Sequence, residues 1–390
     1  MKTDQIEDEC RLVVNATPLL GNLTGVGQLA FEISKRLSCP AGFQADFFTP
    51  LTTFSTLESF ERGKSRTYLL RLAKGLFRRM PFKELIRNYY GENRRGGASY
   101  DLYWEPNFIP VDSICAKRVV TTVCDLSFFE HPEWHPADRI SFFKQNFFKN
   151  IGRSDVVITI SEFSKQRFLA SQREVREDRV KVIPCGVDHD VFRVLNPEPV
   201  EAFRKKHQLP ESFVLFVGTV EPRKNLLHLL TAYEGLSADH REAFPLVLAG
   251  DAGWENKEIL ERIHKLGCHV KRFGYIKKQA DLALMYNAAS VFVFPSLYEG
   301  FGIPPLEAMA CGTPVCLSSI PVFHEIYGED AACYADPFDP DSLTSALLRI
   351  LDDSGYRANL VQRGRTLSGK YTWDAASEMY VSTFKQIVAG

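Results

Sequence analysis

Glu299 and Glu307 stand eight positions apart in SLYEGFGIPPLEAMACGTPV, residues 296–315, with Gly300, Phe301, Gly302 and Ile303 between the first glutamate and a proline pair. A carboxylate cannot bind phosphate, but it accepts hydrogen bonds well from hydroxyl groups. Pro304 and Pro305 suit the first turn of a helix, where a missing N–H costs little, and Gly312 suits its C-terminal cap. Glu307 then lies near the first turn, and the amides of residues 300–303 are unobstructed at the positive end of the helix dipole. Such an end binds phosphate. A ligand with both phosphates and vicinal hydroxyls meets the two demands together, which describes a nucleotide sugar. The plainer alternative is that Glu307 only favours its helix dipole and the glycines only turn the chain.

A second cluster is GTVEPRKNL, residues 218–226, where Gly218 leaves an apolar run and Arg223 and Lys224 stand where a helix begins. Two cations at a helix N-terminus oppose its dipole and call for an anion, which a diphosphate leaving group supplies. The alternative is a pair of solvated surface cations beside Glu221. A third element is LLGNLTGVGQLAFEISKRL, in which Gly25 and Gly27 precede a helix expected from about Gln28. The third glycine of a dinucleotide fingerprint is missing, so a phosphate or sugar approaching the backbone is expected here rather than a nicotinamide cofactor. Asp188-His189-Asp190 has the DxD form of a metal-binding triplet, but its neighbours read as a turn in which Asp bonds the local backbone. No further His or Cys cluster accompanies it, and neither a metal nor a bound cofactor is expected.

These loops need elements to hold them. Short apolar runs alternate with helical segments throughout, which predicts βα units and parallel sheets. Strands are expected at 11–17, 45–50, 102–106, 117–124, 155–160 and 180–184, and again at 213–220, 245–250, 269–275, 290–296, 313–319 and 332–336. Between the two sets, CGVDHDVFRVLNPEPVEAFRKK lacks a strand pattern and reads as a hinge. The expected organisation is α/β, with two Rossmann-like doubly wound domains facing across a cleft: an N-terminal one over 1–193 and a C-terminal one over 200–371. The tail 372–390 has no strand partner; Met379, Tyr380 and Phe384 recur at helical spacing, so it should pack back on the first domain. Ligands of such sheets bind outside the carboxyl ends of the strands, where all three clusters fall.

Composition agrees with a globular chain of 390 residues, 45% hydrophobic and 24% charged. With 47 basic against 48 acidic residues, no overall field draws nucleic acid. Nine cysteines without a CxxC pair, an acidic opening MKTDQIEDECR and no long apolar run point to a cytoplasmic protein with reduced thiols. Residues 62–95 hold eleven basic residues and two glutamates, and 65–80 forms a basic amphipathic pattern. It fits either peripheral contact with an anionic membrane, suiting a lipid-linked acceptor, or a core-packed helix with a solvated basic side.

With these loops placed, the chain resembles the retaining glycosyltransferases of family 4, which have the GT-B fold. The resemblance spans nearly the whole chain and is carried by TGVG, TTVCDLSFFEHPEW, SDVVITISEFSK, VIPCGVD, GTVEPRKNL and, most specifically, PSLYEGFGIPPLEAMACGTPV. It implies that the second domain binds the nucleotide sugar and the first the acceptor. Arg223 and Lys224 would meet the diphosphate, Glu299 with the 300–302 backbone the sugar hydroxyls, Glu307 the ribose, and Gly25 and Gly27 the donor from across the cleft. Asp125 would contact the sugar or acceptor. Two positions depart from the family pattern. Cys124 replaces a histidine that ordinarily touches the transferred sugar or phosphate, for which His131 or His135 would substitute if they are not simply surface residues; Thr219 stands where relatives can carry arginine. The resemblance further implies a same-face transfer of a hexose, with GDP-mannose as the favoured donor and a glycan or lipid-linked saccharide as acceptor in surface polysaccharide assembly. A GT-B epimerase, a phosphorylase or a silent nucleotide-sugar-binding subunit are the rival readings.

Overall fold

The computed structural model describes residues 10–20, 22–37, 42–49, 52–63, 100–112, 114–251, 253 and 257–390. The basic segment 65–80 lies outside them. Among the described residues, the first sheet comprises β1 (Cys10–Asn15), β2 (Phe43–Phe48), β3 (Thr53–Phe54), β4 (Tyr100–Glu105), β5 (Ala116–Val123), β6 (Val156–Thr159) and β7 (Val180–Val182), in spatial order β3-β2-β1-β4-β5-β6-β7. The second comprises β8 (Val214–Val217), β9 (Leu246–Ala249), β10 (Val270–Gly274), β11 (Val291–Phe294), β12 (Val315–Ser318) and β13 (Cys333–Ala335), in order β10-β9-β8-β11-β12-β13. Every pairing is parallel except β2 with β3. Helices cover both faces, which is why Leu12, Val13 and Val14, and all of Val291–Phe294, are fully buried with no alternation.

All twelve expected strands are present. β3 was not expected: two residues pairing antiparallel with Phe47 and Phe48 carry no periodic signal. In each sheet the strand order reverses once, at β1/β4 and at β8/β11, and the crevice outside those strand ends is where such folds hold ligands.

The hinge is more structured than its sequence suggests. Pro197–Lys206 is a helix with Pro at its start, Glu198 in the first turn and Arg204, Lys205 and Lys206 in the last, a charge order that suits the dipole. The chain crosses between domains twice at one place. Val187 N–H donates to Tyr371 C=O at 3.1 Å, and a Cβ on Gly186 would lie 2.2 Å from the Thr372 carbonyl carbon, so only glycine fits beneath the returning strand.

The returning segment becomes the Trp373–Ala389 helix, capped by Thr372, whose Oγ1 accepts from Ala375 N–H at 3.1 Å. Trp373, Tyr380 and Phe384 are buried, and Trp104 of β4 lies 5.3 Å from Tyr380 and 5.9 Å from Phe384 between ring centres. Met379, assigned from spacing to the same face, instead faces solvent. The last helix thus completes the core of the first domain.

Candidate functional site

Arg223 and Lys224 lie in a 3₁₀ turn, Pro222–Lys224, just before the Leu226–Glu234 helix; Glu299 lies on the loop after β11. The tertiary fold brings all three together. Lys224 Nζ donates to Glu299 Oε1 at 2.6 Å, Arg223 Nη1 reaches Glu299 Oε2 at 2.9 Å, and Arg223 Nη2 reaches Glu221 Oε1 at 2.8 Å. Arg223 also donates to the Tyr298 carbonyl at 2.9 Å, and the Lys224 ammonium sits 4.5 Å from the Phe294 ring centre. Glu221, Lys224 and Glu299 are all buried, which corrects the picture of solvated surface cations. The anions that offset these cations in this state are the protein's own carboxylates.

The electrostatics follow from burial and pairing. Burial alone would raise Glu299, but Arg223 and Lys224 override it and hold the carboxyl at about 2. Burial lowers Lys224, opposed by Glu299 and reinforced by repulsion from Arg223. Arg223 is disfavoured by burial yet driven upward by Glu299, Glu221 and Asp125. The cluster is charged, desolvated and internally balanced, so an incoming polyanion must exchange with Glu299 or Glu221 rather than fill an open site.

Glu307 sits in the second turn of the Ile303–Ala310 helix, slightly later than the position near the first turn expected, because the helix already starts at Ile303, ahead of the proline pair. It is buried without a cation. Tyr286 donates its hydroxyl to Oε2 at 3.2 Å, and Gln28 of the first domain donates to Oε1 at 2.9 Å. Burial pushes its carboxyl up to about 7, against those two hydrogen bonds. Gly302, the N-cap, has φ +95°, and its carbonyl accepts from the Tyr327 hydroxyl. Phe301 and Ile303 point into the core, so only their backbone can serve a ligand. The backbone between the glutamates is tightly packed at one point: a Cβ on Gly300 would lie 1.9 Å from the Cys124 carbonyl oxygen at the end of β5. Ser161 Oγ donates to the Gly300 carbonyl at 2.6 Å. Gly300 is therefore a point where the two domains touch backbone to backbone.

Gly25 and Gly27 fall inside the first turn of the Gly25–Leu37 helix, which begins three residues before Gln28, the expected start. Gly25 is exposed and open, whereas Gly27 packs against the Pro18 carbonyl, where a Cβ would sit at 2.9 Å. Gly218 follows β8, and its carbonyl oxygen would lie 2.0 Å from a Cβ on Gly250. Asp125 is half-buried after β5, beside Gly300 and within electrostatic reach of Arg223. Cys124 is buried and its thiol pushed well up by burial, so it neither ionises nor donates strongly. His131 stacks on Trp134 at the rim, but His135 is buried, contrary to a surface assignment. Asp188 accepts from Asp190 N–H at 3.1 Å, the local turn bond expected of it.

Sequence reasoning missed Glu221, Gln28 and Tyr286, which orient the predicted charges. It also missed Glu325, whose two oxygens accept from the Glu162 and Phe163 amides at 2.7 Å each, capping a first-domain helix from the second domain. Only the acid beside Arg223 carried any local signal. The others act at separations of 21 to 279 residues.

Two family models tile the chain: Glycosyltransferase Family 4 over residues 23–191 and Glycosyl transferases group 1 over 199–367. O-antigen chain mannosyltransferase B of Escherichia coli is 29% identical over 389 residues, covering 96% of this chain and 99% of that protein. Serotype-specific mannosyltransferase WbdA of Escherichia coli is 31% identical over 293 residues, 72% of this chain but 35% of WbdA, so this chain spans about a third of that relative. Among solved structures, Anabaena HepE in complex with UDP-glucose superposes with a TM-score of 0.69 at 17% identity, covering 96% of this chain and 99% of HepE. Both sheets, the crossing of the last helix and the two tiling family models agree: the chain is a glycosyltransferase of the GT-B fold, its first domain matching Glycosyltransferase Family 4 and its second Glycosyl transferases group 1.

Proposed function

We propose that this enzyme transfers mannose from GDP-mannose, with retention of anomeric configuration and without a metal ion, to a saccharide or lipid-linked acceptor in polysaccharide assembly. The observation that carries the reading is Glu299 held between Arg223 and Lys224 at the edge of the second sheet. A donor diphosphate entering there takes over the two cations. Glu299, released in part, is then free to accept from sugar hydroxyls, and Glu307 accepts from the ribose. The bond from the anomeric carbon to the phosphate oxygen breaks as the bond to the acceptor oxygen forms on the same face. The acceptor proton passes to the leaving diphosphate, whose charge Arg223 and Lys224 stabilise. No carboxylate is assigned as a nucleophile, since Glu299 is given to holding the sugar hydroxyls.

The choice of mannose draws on the names of the relatives, the full-length match being an O-antigen chain mannosyltransferase. HepE, by contrast, was solved with UDP-glucose, so the assay must include a uridine donor beside the guanosine one. Gly25, Gly27 and Gly218 are proposed to line the donor side of the cleft and Asp125 the transferred sugar or acceptor. The reaction is placed in the cytoplasm, with peripheral membrane contact through 65–80. The test is incubation of purified protein with GDP-mannose and mannosyl acceptors, reading the anomer by NMR. Release of GDP with an α-linked product supports the reading, and a β-linked product or a 2-epimer ends it.

A further inference from the structure

Asp125 is held from behind by a chain of hydrogen bonds. Its Oδ1 accepts from Ser127 N–H at 3.0 Å and from Ser127 Oγ at 2.8 Å, and Ser127 Oγ lies 3.0 Å from His135 Nε2. A serine hydroxyl has one proton. Because the carboxylate can only accept, that proton is spent on Asp125, and Nε2 must carry its own proton and donate to Ser127. The direction of the chain is thereby fixed: His135 to Ser127 to Asp125.

Burial gives the chain an inside and an outside. Ser127 and His135 are buried, while Asp125 is half-buried beside Gly300 at the cleft. Burial lowers the affinity of His135 for a second proton, Arg139 and Arg223 add to this, and Asp125 and Glu221 oppose it, so the ring acts as a neutral donor. Among the described residues, no hydrogen bond reaches Asp125 Oδ2. His131 makes no such link; it bonds Glu133 at 3.2 Å and meets Tyr298 edge-on.

We propose that His135, acting through Ser127, is a positioning residue that fixes the Asp125 carboxylate so that Oδ2 receives a hydroxyl of the transferred sugar or the acceptor. The inference rests on the proposed placement of Asp125 at the reacting sugar. It also accounts for Cys124: the imidazole absent from position 124 reaches the neighbouring carboxylate indirectly, from a loop eleven residues on. A two-point hold on Oδ1 stops the carboxylate from rotating, and orientation of this kind is what a near-attack geometry requires.

The test compares Asp125→Ala, Ser127→Ala, His135→Phe, His135→Gln and the Ser127→Ala/His135→Phe double variant. The probe is GDP-mannose or UDP-glucose, whichever the unsubstituted protein turns over faster, with nucleoside diphosphate affinity measured in parallel. Ser127→Ala and His135→Phe should each lower kcat roughly tenfold, the value of a hydrogen bond to a charged group. Nucleoside diphosphate Kd should change less than about twofold, because that subsite is untouched. The double variant should be no worse than either single one, and His135→Gln, which keeps an N–H donor, should recover most of the loss. Full kcat in Ser127→Ala while Asp125→Ala is impaired overturns the relay, and it does so even if His135→Phe fails to fold. Full kcat in Asp125→Ala overturns the placement of Asp125 and the relay with it. A faster rate with UDP-glucose corrects the donor alone.

Discussion

Gln28 and Glu307 are 279 residues apart in sequence and 2.9 Å apart in space, the amide of one domain donating to the buried carboxyl of the other. Glu307 has no cation to stabilise its charge, and the ribose position proposed above lies at this seam. The cleft is therefore closed in part by a contact that the donor must share or replace.

Glu307 gives the donor site a pH dependence. Its folded value is raised to about 7 from 4.5, so its contribution to the stability of this form is complete below about pH 4.5 and is lost as pH rises through 7. Ribose hydroxyls donating to Glu307 favour the ionised form. Nucleoside diphosphate affinity should thus rise between about pH 5.5 and 7.5 with proton release, read by calorimetry in buffers of different ionisation heat. Glu307→Gln should flatten the profile. Binding without proton release at pH 6 would remove Glu307 from the ribose.

The cations should be both structural and catalytic. Arg223→Ala and Lys224→Ala are each expected to lower turnover by roughly 10²-fold or more. Near-normal rates in both end the assignment. Glu299→Ala leaves the buried Lys224 without its carboxylate, while Arg223 keeps Glu221, and should cost about 3–5 kcal/mol of stability, measured by denaturant titration. Since Glu299 is depressed to about 2 from 4.5, the stability it contributes is present above about pH 4.5 and lost as pH falls towards 2.

Gly300→Ala isolates the domain contact. The new methyl would sit 1.9 Å from the Cys124 carbonyl oxygen, a backbone atom that cannot rotate away. The strand ladders of both sheets are untouched, so the melting temperature should fall by only a few degrees. Small-angle scattering should report a larger radius of gyration, and turnover should drop at least about 100-fold because the cleft cannot close. An unchanged radius with normal turnover would show that closure does not use this contact.

Metal dependence has a direct assay. Asp188 is committed to its own turn, and among the described residues no group of three or more His, Cys, Asp and Glu could hold an ion. Turnover should persist in EDTA and gain less than about twofold from manganese, because the two cations already supply the charge that a metal would bring. Activity lost in chelator and restored by manganese contradicts this.

Much of the molecule was legible from order along the chain. Apolar runs buried on both faces announce parallel strands wherever helices separate them, which located all twelve longer strands; the two-residue β3 has no period to detect. Arg223, Lys224, Glu299 and Glu307 stood out because their spacing is local, and the resemblance gave each a role. That Met379 faces out while Trp373 faces in was not legible, because helical spacing leaves the buried side open until a partner such as Trp104 defines it.

By itself the sequence determined which elements form and which charged groups stand at their ends, because propensity, periodicity and turn chemistry act over a few residues. Only the tertiary structure decided what those groups face. It set Glu299 against two cations and Glu307 against none, pressed Gly300 onto Cys124, and ran His135 through Ser127 to Asp125. The physical reason is that burial and charge pairing depend on distances through space, and here those distances are fixed by two domains meeting across a cleft.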